Sequence, residues 1–181
     1  IKPVNLIVAL LNGKLSVSEL VGSLDPAFGA GGGVTPNLGV SIRAVGMSLQ
    51  ADKKWMIVGS DANPGPQAIV LLMRLTENGA VDAAFGDGGV LEVLPNDKTF
   101  GTAVLSTAFA ADDRIAVGLQ RQSDSLVIVM DRDGNVLANV VTPHPPGSLA
   151  WDGDSLFVGT GFDVERIDAS HQITAVAADS V

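Results

Sequence analysis

Short apolar segments separated by polar turns run along almost the whole chain. They are five to nine residues long and rich in Val, Ile and Leu, which is typical of buried strands. They cover 4–11, 15–21, 42–49, 55–60, 67–75, 90–94, 102–109, 114–119, 125–131, 135–141, 147–151, 155–160, 162–168 and 172–177. Pairs such as Asn12-Gly13 and Asp133-Gly134 interrupt them, and these residues accept the positive φ of tight turns. No segment carries a long helical period with caps, so we expect an all-β fold with almost no helix.

One phrase occurs twice, as Ser-Leu-Asp-Pro-Ala-Phe-Gly at 23–29 and as Ala-Val-Asp-Ala-Ala-Phe-Gly at 80–86, and its matching residues are 57 positions apart. A fixed period of this size indicates a repeat architecture. We expect the aspartates to accept backbone N–H bonds in a turn, the phenylalanines to fill space between adjacent sheets, and the glycines to adopt conformations closed to other residues. This predicted structural signature comprises Asp25, Phe28, Gly29, Asp82, Phe85 and Gly86.

A second layer of repetition surrounds the signature. A strand, a polar turn and a strand that ends in Val-Gly recur at Val58-Gly59, Val117-Gly118 and Val158-Gly159, each followed by a further strand. About four antiparallel strands per period is the unit of a β-propeller blade. The sequence therefore predicts a β-propeller-like fold with about three four-stranded blades in a single domain, 1–181. We divide it into an N-terminal hairpin at 1–21 and repeat units at about 22–86, 87–141 and 142–181.

The same residues carry a resemblance to a known family. The segments 22–34, 49–59, 72–79 and 81–86 resemble the delta-60 repeat, which has a Gly-Ser-Leu-Asp-x-x-Phe-Gly phrase followed by a Gly-Gly pair and a Gln-x-Asp-Gly-Lys-Ile-x-Val-x-Gly strand turn. Lys53 departs from it, because it replaces the turn glycine. The resemblance implies a multi-bladed propeller in a bacterial secreted or surface protein, located outside the cell or in its envelope. It brings no catalytic or ligand-binding residues.

Composition narrows the possible partners. The formal net charge is −9 and no cluster of Lys and Arg occurs, which argues against nucleic acid and against an anionic membrane surface. Cysteine is absent, so disulfides and thiol chemistry are excluded. No apolar run approaches the roughly 18 residues of a membrane-spanning helix. The chain begins with Ile1 rather than Met, from which we expect a piece of something longer.

Few residues suggest chemistry. Asp131-x-Asp133-Gly-Asn135 is similar to a calcium loop, but its spacing differs and no Glu closes it, which favours an ordinary hairpin turn. Neither His144 nor His171 has a neighbouring His or Glu at metal-ligand spacing in the sequence, and we predict no metal and no cofactor. Trp55 and Trp151 lie near strand turns. Core packing is one interpretation of these indoles, and a possible interaction surface for a protein or a sugar is the other.

Blade number bears on function. Propellers close with typically four to eight blades, so three blades require completion by a second copy, another chain or further sequence, unless the blades stack openly. We expect a non-catalytic propeller segment that acts as a scaffold or as a platform for protein or glycan. The alternative is a propeller-type enzyme, such as a lactonase, lyase or glycosidase, with its site in the central channel. The predicted innermost strands 42–49, 102–109 and 147–151 supply Arg43 and hydroxyls but no carboxylate or histidine, which favours the non-catalytic interpretation.

Overall fold

The structure, a computed structural model, describes residues 8–11, 14–17, 24–36, 42–61, 70–93, 103–161 and 163–175. These residues contain fourteen β-strands and no helix. The strands are β1 (Val8–Leu11), β2 (Lys14–Val17), β3 (Ile42–Leu49), β4 (Trp55–Asp61), β5 (Val70–Leu75), β6 (Val90–Glu92), β7 (Ala103–Phe109), β8 (Ile115–Gln120), β9 (Ser125–Met130), β10 (Val136–Thr142), β11 (Ser148–Asp152), β12 (Ser155–Gly159), β13 (Val164–Ile167) and β14 (Ile173–Ala175). No helix capable of spanning a bilayer occurs in this part of the chain.

The strands form three four-stranded antiparallel sheets, each a meander in which neighbours along the chain pair with one another. We call β3–β6 the first sheet, β7–β10 the second and β11–β14 the third. β1 and β2 pair separately as a two-stranded sheet. The expectation of an all-β fold with three four-stranded antiparallel sheets is confirmed.

The three sheets pack face to face. Met56, Val58 and Leu72 of the first sheet contact one face of the second, and the other face of the second sheet packs on the third. The central strands β8 and β9 are therefore buried on both faces. β7 contacts both β3 and β11, so the first strands of the sheets are neighbours. This is the arrangement that adjacent propeller blades require.

The turns between first and second strands and those between third and fourth strands lie at the same end of the sheets, because each sheet is a simple meander. Each of these turns has a residue with positive φ: Lys53, Asp113 and Gly153 in the first kind of turn, and Gly79, Gly134 and His171 in the second. The longer β5–β6 connection has three more, at Gly86, Gly88 and Gly89. The turn type is thus shared even where the residue is not glycine.

The sheets are offset from the repeat units of the sequence. The second copy of the signature lies in the connection between β5 and β6, inside the first sheet, so a unit boundary at residue 86 falls within that sheet. The glycine-rich phrase is conspicuous in the sequence because its turn needs glycine, and it links the third and fourth strands of one sheet.

Candidate functional site

The two copies of the signature have the same backbone geometry. Phe28 N–H donates to the Asp25 carbonyl at 3.0 Å, and Phe85 N–H donates to the Asp82 carbonyl at 2.9 Å. Both aspartates also accept a backbone N–H two residues later through Oδ1. Corresponding glycines have closely similar positive φ, 60° at Gly29 and 54° at Gly86. The 57-residue period is therefore a period of structure as well as of sequence.

The second copy is part of the core. Phe85 is 2% exposed and packs in the apolar cluster between the first and second sheets. The guanidinium of Arg74 lies over its ring, 4.6 Å from the centroid. Phe85 thus contributes apolar area and a cation–π contact to the interface between the sheets.

Arg74 organises a partly buried ionic cluster beside this ring. Its Nε donates to Asp82 at 2.7 Å and its Nη1 donates to Asp133 in the second sheet at 2.8 Å. Lys54 approaches Asp82 at 3.0 Å. The Lys54 and Arg74 hydrogen bonds hold the pKa of Asp82 below its usual value, so the carboxylate stays charged. The cluster links two sheets, and its role is structural.

Further polar contacts connect neighbouring turns. Both carboxylate oxygens of Asp113 in the second sheet accept the backbone N–H of Ala51 in the first, at 3.2 and 3.1 Å. Arg132 pairs with Asp52 at 2.8 Å across the same boundary. Such bonds fix adjacent sheets relative to one another without forming a cleft.

Trp151 lies at the next boundary and is half-buried against the core between the second and third sheets. The Arg114 guanidinium covers its ring at 4.6 Å and also pairs with Asp154 at 2.9 Å. One face of the indole is therefore occupied by a residue of the same chain. This environment favours the core-packing interpretation of Trp151 over that of a free platform.

The first copy of the signature and Trp55 lie on the face of the first sheet that points away from the second sheet, which we call the open face. Phe28 meets the ring of Trp55 edge-on, with centroids 6.3 Å apart. A groove of about 420 Å³ lies here. It is lined by Phe28, Val34, Thr35, Pro36, Ala44, Met47, Trp55, Ile57, Gly59, Leu71, Met73 and Leu75. Met47 is 56% exposed and Leu49 at the sheet end is 49% exposed, so this is an accessible apolar surface.

A buried carboxylate in the third sheet was not singled out from the sequence. Glu165 is 5% exposed, and its Oε2 has no hydrogen-bond partner among the described residues. Burial raises the pKa of Glu165, the nearby Asp163 raises it further, and His144 acts in the opposite direction. The alternating pattern of β13 indicates this burial, because Glu165 lies on the same inward side of the strand as Ile167. His144 itself is half-buried.

The candidates for chemistry do not converge on a reaction centre. Asp131 Oδ1 accepts the N–H groups of Asp133 and Asn135, each at 2.9 Å, so this carboxylate caps its own turn. In the described ranges, no three His, Asp or Glu residues are grouped so as to hold a metal ion. His171 occupies a turn position with φ of 61°.

The predicted innermost strands correspond to β3, β7 and β11. In their described positions the acidic residue is Asp152, which ends β11 at the turn. The hydroxyl of Ser106 donates to the Pro146 carbonyl and so holds the connection between the second and third sheets. These strands bring no paired acid and base together in the part of the chain that the structure describes.

Comparisons with known proteins inform the fold. No family model matches the chain, and no curated protein matches it. The structure is similar to that of Sqt1 from Saccharomyces cerevisiae, with a TM-score of 0.52, 16% sequence identity and coverage of 75% of this chain and 35% of Sqt1. A protein of unknown function from Bacteroides caccae gives a TM-score of 0.47 at 12% identity, covering 75% of this chain and 46% of that one. HIRA(644-1017) gives 0.42 at 14% identity, covering 80% and 42%.

Sqt1 has a WD40 β-propeller-like fold, and the likeness extends to the class of fold. The predicted β-propeller-like architecture is therefore confirmed. The chain spans less than half of the length of each of these solved chains.

Proposed function

We propose that this chain is a non-catalytic β-propeller segment that serves as a scaffold and interaction platform, and that its open face packs against another blade. The exposed apolar face of the first sheet carries this proposal. Among the described residues, both faces of the second sheet are covered by a neighbouring sheet, and Met56 and Leu72 of the first sheet are covered by the second. A contiguous exposed apolar patch rimmed by polar residues marks an interaction site.

Blade number supports the same conclusion. The three described sheets are fewer than the four to eight blades that close a propeller. A further blade would remove Met47 and Leu49 from water, and burial of apolar surface contributes roughly 25 cal/mol per Å². We propose other blades, from this or another chain of the same assembly, as the first partners, with protein or glycan ligands beyond them.

The biological setting is proposed on the resemblance alone. Residues 22–94 resemble the delta-60 repeat most closely, and from this we propose a bacterial protein that is secreted or belongs to the cell envelope. No specific observation favours the enzyme alternative, since the described parts of β3, β7 and β11 supply hydroxyls and the terminal Asp152.

A matched pair of substitutions tests the proposal. Met47→Lys places a charge on the open face, whereas Val141→Lys places one on the outer strand β10 at nearly equal exposure, 56% against 58%. We expect Met47→Lys to lower the melting temperature, or to dissociate an assembly detected by light scattering, and Val141→Lys to do neither. Equal effects of the two variants would contradict a covered face.

A further inference from the structure

We propose that the hairpin β1–β2 and residues 33–35 form a fourth sheet that covers the open face of the first sheet, with Lys14–Ser16 of β2 antiparallel to residues 33–35. The inference rests on the proposed function, because it identifies the blade that packs on this face. It assigns that blade to the chain itself.

The segment 24–36 contacts the first sheet at the β5–β6 turn. A Cβ atom on Gly79, in the β5–β6 turn, would meet Val34 at 2.8 Å and Phe28 at 3.0 Å. A Cβ atom on Gly134, in the β9–β10 turn, would likewise meet Leu91 and Phe85. The segment 24–36 therefore contacts the first sheet as the corresponding part of the first sheet contacts the second. It occupies the position of a preceding blade's last connection and outer strand.

The position of β2 along the chain matches that of β5 one period later. In the first sheet, β5 pairs with β6 through Leu71↔Glu92 and Met73↔Val90. The period of 57 residues relates β5 to a segment that contains β2, and relates β6 to residues 33–35. The equivalent pairs are Lys14 with Thr35 and Ser16 with Gly33. β2 therefore lies at the sequence position that the 57-residue period assigns to the third strand of a preceding sheet.

The two faces of the β1–β2 hairpin differ in the polarity of their positions. The register Val8↔Val17 and Leu10↔Leu15 places these four positions on one face. The equivalent of Leu15 in β5 is Leu72, which packs toward the second sheet. In the proposed blade the wholly apolar face would therefore meet the open face. The opposite face carries Lys14 and Ser16. A two-stranded hairpin is marginally stable alone, so it needs such a neighbour.

Disulfide trapping in the full chain tests the register, and the chain has no cysteine of its own. The bonds Arg74 N–H to Gly89 O and Val93 N–H to Val70 O flank β5–β6 pairs that are not themselves hydrogen-bonded, and such pairs bring Cβ atoms closest. Their equivalents are the double variants Ser16→Cys/Gly33→Cys and Lys14→Cys/Thr35→Cys. A Cβ atom on Gly33 has nothing within 4 Å, so a side chain is accommodated there.

The control is Leu15→Cys/Gly33→Cys, which shifts the register by one residue and directs the two Cβ atoms to opposite faces. Under mild oxidation we expect both designed pairs to close within one chain at least about tenfold faster than the control, because disulfide geometry is specific. The two designed variants, when reduced, should melt as the parent does, which excludes misfolding. Closure between chains, or equal rates in all three variants, would overturn the inference.

Indole accessibility separates failure of this inference from failure of the proposed function. In a Trp151→Phe background, Trp55 is the remaining tryptophan, and we expect Leu15→Asp to raise its acrylamide quenching roughly twofold by exposing a covered indole. If Trp55 is protected but Leu15→Asp and the cysteine pairs have no effect, another blade covers the face and only the inference falls. If Trp55 is freely quenched in the parent, both proposals fall.

Discussion

Single residues with left-handed backbone shape the turns that join the strands, and two equivalent ones are not glycine. Lys53 has φ of 65° and Asp113 has φ of 68° in corresponding turns of the first and second sheets. Lys53→Gly is expected to stabilise the protein by about 0.5–1 kcal/mol, because the left-handed conformation costs an L-residue about 1–2 kcal/mol and glycine adds back about 0.4–1 kcal/mol of unfolded-state entropy. Urea denaturation measures the change.

The corresponding glycine substitution in the second sheet should destabilise the protein. Asp113→Gly relieves the same strain but removes the carboxylate that accepts Ala51 N–H, so we expect a net loss of about 1 kcal/mol. Lys53→Ala retains the positive φ and loses only an exposed pair with Glu77, and it should be close to neutral. Stabilisation by Lys53→Ala as large as that by Lys53→Gly would refute the strain argument.

Glu165 is a residue whose charge opposes folding. Its raised pKa means that the ionised form is disfavoured in the folded state, so the penalty grows as the pH rises above the unfolded pKa and disappears in acid, where folded and unfolded states are both protonated. Glu165→Gln is therefore expected to raise the free energy of unfolding at pH 7 by roughly 1–3 kcal/mol. The gain should vanish below about pH 4.

The matched control is Glu92→Gln on the exposed outer strand β6, which should leave stability unchanged at both pH values. Urea titrations at neutral and acidic pH provide the comparison. A destabilising effect of Glu165→Gln at pH 7 would show that the carboxylate has a partner that matters.

At the scale of elements, strand positions were largely predictable. Apolar runs that end at polar turn residues, such as 42–49 before Asp52-Lys53 and 125–131 before Asp133-Gly134, agree closely with β3 and β9. Strand positions depend on the local alternation of apolar and polar residues and on turn residues a few positions away. Both can be read directly from the sequence. The third-to-fourth strand connection at 76–89 was harder, because its glycines indicate a turn without saying which strands it joins.

Contacts between sheets could not be derived in the same way. Arg74 meets Asp82 eight residues away and Asp133 in another sheet, and nothing local in Val-Leu-Leu-Met-Arg-Leu indicates a buried guanidinium. β8 and β9 have no polar face, so their pattern does not say which neighbour covers which side. The open face is likewise a property of packing and not of any one strand.

The signature phenylalanine gives a prediction for the β5–β6 connection. Phe85→Ala should destabilise by about 3–5 kcal/mol, because it opens a cavity in the core between the first and second sheets and removes the ring beneath Arg74. Phe157→Ala on β12 is the control, since that side chain is half-buried and its neighbours Leu156 and Val158 face the second sheet instead. Thermal denaturation of both variants is the measurement, and similar losses would contradict the assignment of Phe85 to the core.

At the scale of the whole molecule, one end of the sheets carries most of the described ionic contacts. Arg74 and Arg132 link the first and second sheets, and Arg114 links the second and third. Each such ion pair contributes little to stability when it is exposed. Together they fix the relative orientation of the sheets, because contacts between apolar faces are not directional. This end therefore determines how the blades are arranged, while the apolar faces supply most of the stability.

These carboxylates also predict the response of the molecule to acid. The pKa of Asp82 is lowered by hydrogen bonds from Lys54 and Arg74, and that of Asp112 is lowered by Arg114. A carboxylate whose pKa is lower in the folded state than in the unfolded state stabilises the fold. This stabilisation is complete above the unfolded-state pKa near 3.8 and is lost as the pH falls through the folded-state pKa. We expect the free energy of unfolding to decline below about pH 4.

Asp82→Asn should cost roughly 3 kcal/mol at pH 7, since it leaves a buried guanidinium with one carboxylate fewer. The difference from the parent should shrink as the pH falls below about 4, because the parent then loses the same charge. Asp87→Asn, in the same loop but exposed, should keep the full acid decline of the parent. Urea titrations between pH 2 and pH 7 test this, and a difference between Asp82→Asn and the parent that stays constant over that range would mean that Asp82 acts by shape rather than by charge.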